Sequence, residues 1–324
     1  MSLEKINQVC WGILGCGDVT EVKSGPALRI TDRSYVAMVM RRNSIKAEDY
    51  ALRHNVPDWT DSIDILLQNP VLNAIYIATP PSTHAEYAIK AMEAGKNVLV
   101  EKPMALSTSE CDAMREAVER TGKKLCVAYY RRALPRFEKL KECVFSGAIG
   151  TPNFVEIRHL LPSASKPPQN WKLNPSIGGG GYFWDMQTHT LDWLNYVFGA
   201  PQSVQSATET SLDLNGTEKL VSFIAKYGTT SAIGLCCYAS DRNEERVTVH
   251  GTEGSVSMSF FSPSPVVLQR GEKVEEISLP DPAHVHQPFI ERVVAHFLDN
   301  EENPCSVGEG RHVNFMLNSI FDRQ

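Results

Sequence analysis

The chain has 324 residues, 42% hydrophobic and 22% charged, with a formal net charge of −6 at pH 7. That length is comfortable for two globular domains, the negative charge speaks against general nucleic-acid binding, and no apolar run approaches the roughly 18–20 residues that span a bilayer. The opening Met1-Ser2-Leu3-Glu4-Lys5 runs straight into a strand-like stretch without a signal-peptide core, so a cytoplasmic protein with neither membrane nor nucleic acid as partner is expected.

In chain order, residues 8–14, 35–40, 74–78, 97–100 and 124–129 are short, continuous apolar runs. Such runs suit parallel strands covered on both faces. Between them, 61–68 reads as a helix stopped by Asn69-Pro70, and 83–94 as one stopped by Gly95. The stretch 107–121 opens with a Ser107/Glu110 capping box and stops at Gly122. Strand–helix alternation at this pitch is a βαβ series. An α/β domain, a doubly wound parallel Rossmann sheet, is therefore expected over 1–130.

The texture changes after Tyr130. Residues 133–145 read as a helix ending at Gly147, 154–161 as a strand, and 183–198 as a helix after a loop rich in Pro, Ser and Gly. From 203 to 279 the chain is strand-like, with turn signals at Asn215-Gly216, Gly228, 241–243, Gly251, Gly254 and Gly271. Asn-Gly is a strong hairpin signal. An antiparallel meander is expected there, followed by a final amphipathic helix over 287–298, which makes 131–324 an α+β domain. The eight cysteines, Cys10, Cys16, Cys111, Cys126, Cys143, Cys236, Cys237 and Cys305, show neither C-x-x-C nor zinc-finger spacing. They read as reduced and structural, with no metal site.

Gly12-Ile13-Leu14-Gly15-Cys16-Gly17 follows the first strand and opens a helical stretch at Asp18-Val19. Gly15 permits the tight turn and Gly17 lets backbone approach a pyrophosphate. The helix N-terminus offers its free N–H groups to phosphate. Thr20 stands where a third Gly or Ala is usual, which loosens helix–strand packing. The next strand ends in Arg41-Arg42. An acidic residue there would accept from a ribose 2′-OH, whereas guanidinium groups pair with a 2′-phosphate. This favours NADP and leaves NAD open; a solvated surface also carries Arg pairs.

Glu101-Lys102-Pro103 ends an apolar strand. Ligands of open α/β sheets bind at that end, where a lysine can donate to a substrate oxygen; a surface lysine is equally at home there. Gly178-Gly179-Gly180-Gly181 leads into the 183–198 helix, so either the loop is flexible or something approaches its backbone closely. On that helix Asp185, His189 and Asp192 fall at i, i+4 and i+7, on one face. A carboxylate one turn before a histidine can orient it as a general acid/base; the same stripe would serve a solvated helix face.

Taken in order, Gly12 to Gly17, Ala78-Thr79-Pro80-Pro81-Ser82-Thr83-His84, Glu101-Lys102-Pro103, Ser146-Gly147-Ala148-Ile149-Gly150 and the glycine run before Asp185, His189 and Asp192 resemble the Gfo/Idh/MocA family over nearly the whole chain. The resemblance implies a Rossmann domain, an open, mostly antiparallel second sheet that mediates a homodimer or homotetramer, and hydride transfer to or from a sugar or polyol. It places Lys102 on the reacting oxygen, His189 as proton donor or acceptor, and Asp185 on the substrate or behind His189. The reacting oxygen is expected in the cleft between the domains, where Lys102 and His189 can both reach it, and the resemblance puts Trp171 and Lys172 on the pocket side. Cofactor contacts are implied for Gly12, Gly15, Cys16, Gly17, Asp18, Val19, Arg41, Arg42, Thr79, Pro80, His84, Glu101 and Lys102. Gln187 stands where many members have Gly, which bears on the shape of the substrate site. Two other readings stay open: a redox-neutral glycosidase with tightly held nucleotide, and a non-catalytic nucleotide-binding sensor. Retention of Lys102, Asp185 and His189 weighs against the sensor.

Overall fold

The apolar runs near the N-terminus become six parallel strands in the order β3-β2-β1-β4-β5-β6. They are β1 (Val9–Leu14), β2 (Ser34–Met40), β3 (Asp58–Thr60), β4 (Ala74–Ile77), β5 (Asn97–Val100) and β6 (Leu125–Val127). The computed structural model describes residues 7–162, 171–211 and 216–322. Trp11, Ile13, Ile75, Tyr76, Ile77, Leu99 and Val100 are all buried, so both sheet faces are covered and no alternation survives in the sequence. The order reverses between β1 and β4, which puts a ligand crevice at the carboxyl ends of those strands.

The connecting helices are α1 (Asp18–Val22), α2 (Ser24–Ile30), α3 (Ser44–His54), α4 (Ile63–Gln68), α5 (His84–Glu93) and α6 (Thr108–Thr121). The first is only five residues long and breaks at Lys23 into α2. Asn43 caps α3 by accepting from the Lys46 N–H at 3.0 Å.

Two compact units result: Met1–Ala105, Ser109–Arg131 and Pro282–Arg311 form the first, and Leu106–Thr108, Arg132–Asp281 and His312–Gln324 the second. The sequence reading assigned 282–311 to the second domain, and the structure moves it to the first. An apolar stripe announces a face to bury but not which sheet will bury it.

The second unit contains α7 (Pro135–Phe145), β7 (Pro152–Pro162), α8 (Pro175–Gly178), a π-helical turn (Phe183–Gln187) and α9 (Thr188–Phe198). The strands β8 (Ser203–Ser211), β9 (Thr217–Tyr227), β10 (Thr230–Ser240), β11 (Glu244–Gly251), β12 (Ser255–Met258), β13 (Val266–Arg270) and β14 (Lys273–Ile277) follow. The eight-stranded sheet runs β14-β13-β12-β11-β7-β10-β9-β8. The expected meander is therefore interrupted: β7 lies between β10 and β11, parallel to the former and antiparallel to the latter. Local pattern carries no information about such a distant insertion. Gly228 and Gly271 adopt positive φ in the two-residue loops that join β9 to β10 and β13 to β14. Asn215 and most of the loop after β7 lie outside the described residues.

In the first unit α10 (Gln287–Asp299) sets Phe297 against Trp11, ring centroids 5.8 Å apart. Asp299 pairs with Arg33, and Lys124 Nζ reaches the Phe297 carbonyl at 3.2 Å and Asn300 Oδ1 at 2.6 Å. A further helix, α11 (Val307–Ile320), follows, so the 287–298 helix is not the last. Ser306 and Glu309 form its capping box, with Ser306 N–H to Glu309 Oε2 at 2.8 Å and Glu309 N–H to Ser306 Oγ at 3.3 Å. Among the described residues no helix is long and apolar enough to cross a membrane, and no group of His, Cys, Asp and Glu is placed to hold a metal.

Candidate active site

The glycine loop is pressed against the end of β4. Gly15 has φ +96°, its N–H donates to the Met40 carbonyl at 2.9 Å, and a Cβ there would stand 2.8 Å from Thr79 Cγ2. At Gly12 a Cβ would meet the Leu72 side chain at 2.7 Å, so that glycine serves core packing. Gly17 differs: its nearest neighbour would be the Gly15 carbonyl at 3.9 Å, so its surroundings have room for a phosphate to approach the backbone. It caps α1, and Asp18 and Val19 form the first turn.

Thr20 does not loosen this loop. It is buried, its hydroxyl donates to the Gly17 carbonyl at 2.7 Å, and its own carbonyl accepts from Tyr50 Oη at 2.9 Å. The close-packing task expected of a third glycine falls to Gly25, whose Cβ would stand 2.0 Å from the Thr20 carbonyl. Arg41 folds back over the loop and donates to the Cys16 carbonyl at 3.0 Å, while Arg42 is exposed. Burial pushes the Cys16 thiol up to about 11, so it stays protonated.

At the ends of β4 and β5 the expected residues take distinct parts. Thr83 Oγ1 lies 2.8 Å from Thr79 Oγ1 and 2.9 Å from the Pro80 carbonyl. His84 is 0% exposed, with Nε2 2.7 Å from the Thr79 carbonyl and Nδ1 3.0 Å from that of Pro103. Burial pulls its imidazole down to about 4, so it is neutral at pH 7 and donates to one carbonyl at a time. It braces the Thr79 and Pro103 loops from beneath and has no surface left for a ligand. Glu101 is also buried; its carboxylate accepts from Tyr76 Oη at 2.5 Å and from the Lys102 N–H at 3.2 Å. Burial raises the Glu101 carboxyl, opposed by Tyr76 and Lys102. The Lys102–Pro103 peptide is cis, and the Lys102 side chain is half-buried.

His286 was not foreseen. It stacks on Tyr130 with centroids 4.1 Å apart, and burial, with the charges of Lys23, Lys102 and Arg131, pulls it down to about 3. No motif marks it; only the return of 282–311 to the first unit brings it near Lys102.

In the second unit Lys172 Nζ sits 2.8 Å from Asp185 Oδ2 and 5.8 Å from the centroid of the exposed Trp171 ring. Trp171, Lys172 and Asp185 are thus brought together at the π turn, and His189, largely buried, stands in the first turn of α9. The single polar stripe does not form. The i→i+5 bonding of the π turn offsets Asp185 from the 3.6-residue period, and Asp192 faces Arg132, with Nη2 to Oδ1 at 2.7 Å. Gln187 turns inward, its amide against His159 Nδ1, and His159 stacks on Phe261 at 4.9 Å. It belongs to the core.

The glycine run is explained by close approach of the chain's own side chains. A Cβ at Gly179 would stand 2.0 Å from Trp184 Nε1, and one at Gly181 would stand 2.7 Å from Thr217 Oγ1 and 2.8 Å from Glu218 Oε1.

A 3-2-1-4-5-6 parallel sheet with a glycine loop after β1 is the architecture of a dinucleotide-binding Rossmann domain, here followed by a second unit built on an eight-stranded sheet. The chain belongs to the Gfo/Idh/MocA oxidoreductase family: residues 9–129 match its NAD-binding Rossmann fold and residues 137–257 its C-terminal domain. It is 38% identical to Oxidoreductase P35 of Formosa agariphila over 315 residues, 96% of this chain and 98% of that one. It is 32% identical to the levoglucosan dehydrogenase of Pseudarthrobacter phenanthrenivorans over 242 residues, 66% of this chain and 61% of that one. The aldose-aldose oxidoreductase of Caulobacter crescentus, solved with glycerol, superposes with a TM-score of 0.87 at 23% identity, covering 97% of each chain.

Proposed function

We propose that the chain transfers a hydride between NADP(H) and a secondary alcohol or carbonyl of a sugar or polyol. The observation that carries this reading is the joining of Trp171, Lys172 and Asp185 at the turn that leads into His189. An exposed aromatic ring beside a charged pair suits a ligand with apolar ring faces and many hydroxyls. The relatives named for levoglucosan and aldose chemistry support the same class.

The nicotinamide, when bound, supplies or accepts the hydride. Reduction of a carbonyl leaves an alkoxide, so a proton must reach that oxygen, and oxidation must remove one. His189 holds that proton at its imidazole; Lys102 stabilises the developing charge on the oxygen; Asp185 and Lys172 orient the substrate hydroxyls. A panel of sugars, inositols and ketoses, including levoglucosan, followed by reduced-nucleotide absorbance with both nucleotides, tests this. Turnover without any net absorbance change, with nucleotide retained through desalting, would instead establish a redox-neutral enzyme.

The NADP preference rests on Arg41, held over the Cys16 carbonyl at the edge where the ribose phosphate would lie. Charge-assisted hydrogen bonds contribute about 1.5–3 kcal/mol, so Arg41→Asp is expected to weaken NADP binding about 10-fold or more. Equal wild-type affinities for NAD and NADP, or an unchanged NADP affinity in the variant, would count against it.

The sheet of the second unit leaves Phe154, Ile224, Ile233 and Leu235 between 37% and 50% exposed. Ile233 is paired with Ile224 across β9 and β10, so they share one outer face. This is the face on which we place a homo-oligomer contact. Sedimentation at micromolar concentration should show a dimer or tetramer and Ile233→Glu should shift it to monomer; a wild-type monomer sinks the assignment.

A further inference from the structure

We infer that Glu218, on β9, is a positioning residue for the reaction: its buried carboxylate locks the start of the helix that presents Asp185 and His189. The inference rests on the roles proposed above for those two residues.

Helix starts leave backbone N–H groups without intrahelical partners. Here the start is a π turn, a conformation rarely longer than one turn and less regular than an α-helix. The sequence offers no Ser, Thr, Asp or Asn in the glycine run to cap it. A neighbouring strand supplies the acceptor instead. Glu218 Oε2 accepts from the Gly181 N–H at 3.0 Å and Oε1 accepts from the Phe183 N–H at 2.5 Å. Both carboxylate oxygens are therefore committed, one on each side of Tyr182. Burial raises the carboxyl, and the N–H groups of Phe183, Gly181 and Trp184 pull in the other direction.

A carboxylate only 2% exposed is costly to place, so a merely space-filling role would be better met by an apolar side chain. The glycines are part of the same device. The carboxylate can come this near only because Gly181 has no side chain, since a Cβ there would stand 2.8 Å from Oε1. Gly179 and Gly180 let the same backbone cross the Trp184 side chain. The lock ends two residues before Asp185, and His189 lies one turn beyond that. A shift at Gly181 to Phe183 thus moves the Lys172–Asp185 pair and the imidazole together. Misplacement of a reacting group by about 1 Å can cost about 10²-fold in rate.

The test uses Glu218→Gln, which keeps size but replaces one acceptor oxygen with a donor facing an N–H. Gly181→Ala disturbs the same contact from the helix side. Histidine-labelled protein identifies the His189 signal by its loss in His189→Ala. Expected in both variants are faster amide exchange confined to the 181–189 segment, a displaced His189 signal, unchanged NADP titrations, and, on any sugar the wild type turns over, a kcat lowered about 10-fold or more. Glu218→Asp, which retains the charge at shorter reach, should fall between. A folded Glu218→Gln protein whose 181–189 exchange and His189 signal match wild type overturns the inference. Faster exchange with an unmoved His189 signal overturns it too, leaving Glu218 a stabilising residue only. Normal turnover in His189→Ala would show instead that the proposed chemistry is wrong, and the exchange and resonance results would still decide the lock.

Discussion

Alanine at Lys102 or at His189 is expected to cut turnover by about 10² or more while nucleotide titrations stay near wild type. The expectation follows from what each side chain offers the reacting oxygen. A positioned acid or base is worth about 10²–10⁴-fold, and a preorganised cationic donor about 10²–10³-fold. Lys102 ends β5, with its backbone N–H held by Glu101 and the next residue a buried proline. Neither residue is part of the Gly15–Gly17 loop or of the Arg41 contact, so the phosphate-borne share of nucleotide affinity should persist even though Lys102 stands among the implied cofactor contacts. Single-turnover measurements separate the chemical step from binding. If both variants keep more than about a tenth of wild-type turnover, the acid/base and electrostatic roles belong elsewhere.

Asp192→Ala is expected to destabilise the second unit by about 3–5 kcal/mol, because it strands a buried guanidinium. Arg132 and Asp192 are each 2% exposed. Arg132 Nε lies 3.1 and 3.0 Å from the two carboxylate oxygens and Nη2 lies 2.7 Å from Oδ1. The guanidinium also lies 4.7 Å from the Tyr196 ring centroid. The pair ties the segment before α7 to α9. The double variant Arg132→Met/Asp192→Leu should recover most of the loss, since removing both charges removes the desolvation cost along with the attraction. Urea midpoints at constant m measure both. A loss below about 1 kcal/mol in Asp192→Ala, the range of an exposed pair, would contradict the burial argument.

The parts of the fold legible in the sequence were those whose cause is local. Strands such as 97–100 and 74–78 are buried on both faces, and their continuous apolar character announces it. The glycine loop was legible because its turn and its helix are adjacent in the chain. The insertion of β7 between β10 and β11 was not, since pairing partners across so much sequence leave no periodic trace. The helix α11 carried a readable start in Ser306 and Glu309, but Gly308 and Gly310 diluted its pattern. Gly310 is there because a Cβ would meet Val127 at 2.8 Å and Met104 Sδ at 2.9 Å.

At the candidate site, Trp171 and Lys172 come from a resemblance and Asp185 from helical spacing as well, and the structure puts the three together. Helical spacing groups Asp192 with Asp185 and His189, a grouping that the π turn defeats. Glu218 and His286 had no signal at all, because each acts on residues far away in the chain.

The return of residues 282–311 to the first unit has a consequence for biogenesis. On the ribosome, the nucleotide-binding sheet emerges long before α10, the helix that sets Phe297 against Trp11. Until then β1 and α2 wait with part of their apolar surface uncovered, while the whole second sheet is synthesised. N-terminal units usually fold as they leave the exit tunnel; this one stays incomplete until residues 282–311 have emerged. The Rossmann half is therefore not a detachable module that could be trimmed at residue 131 and still close its own core.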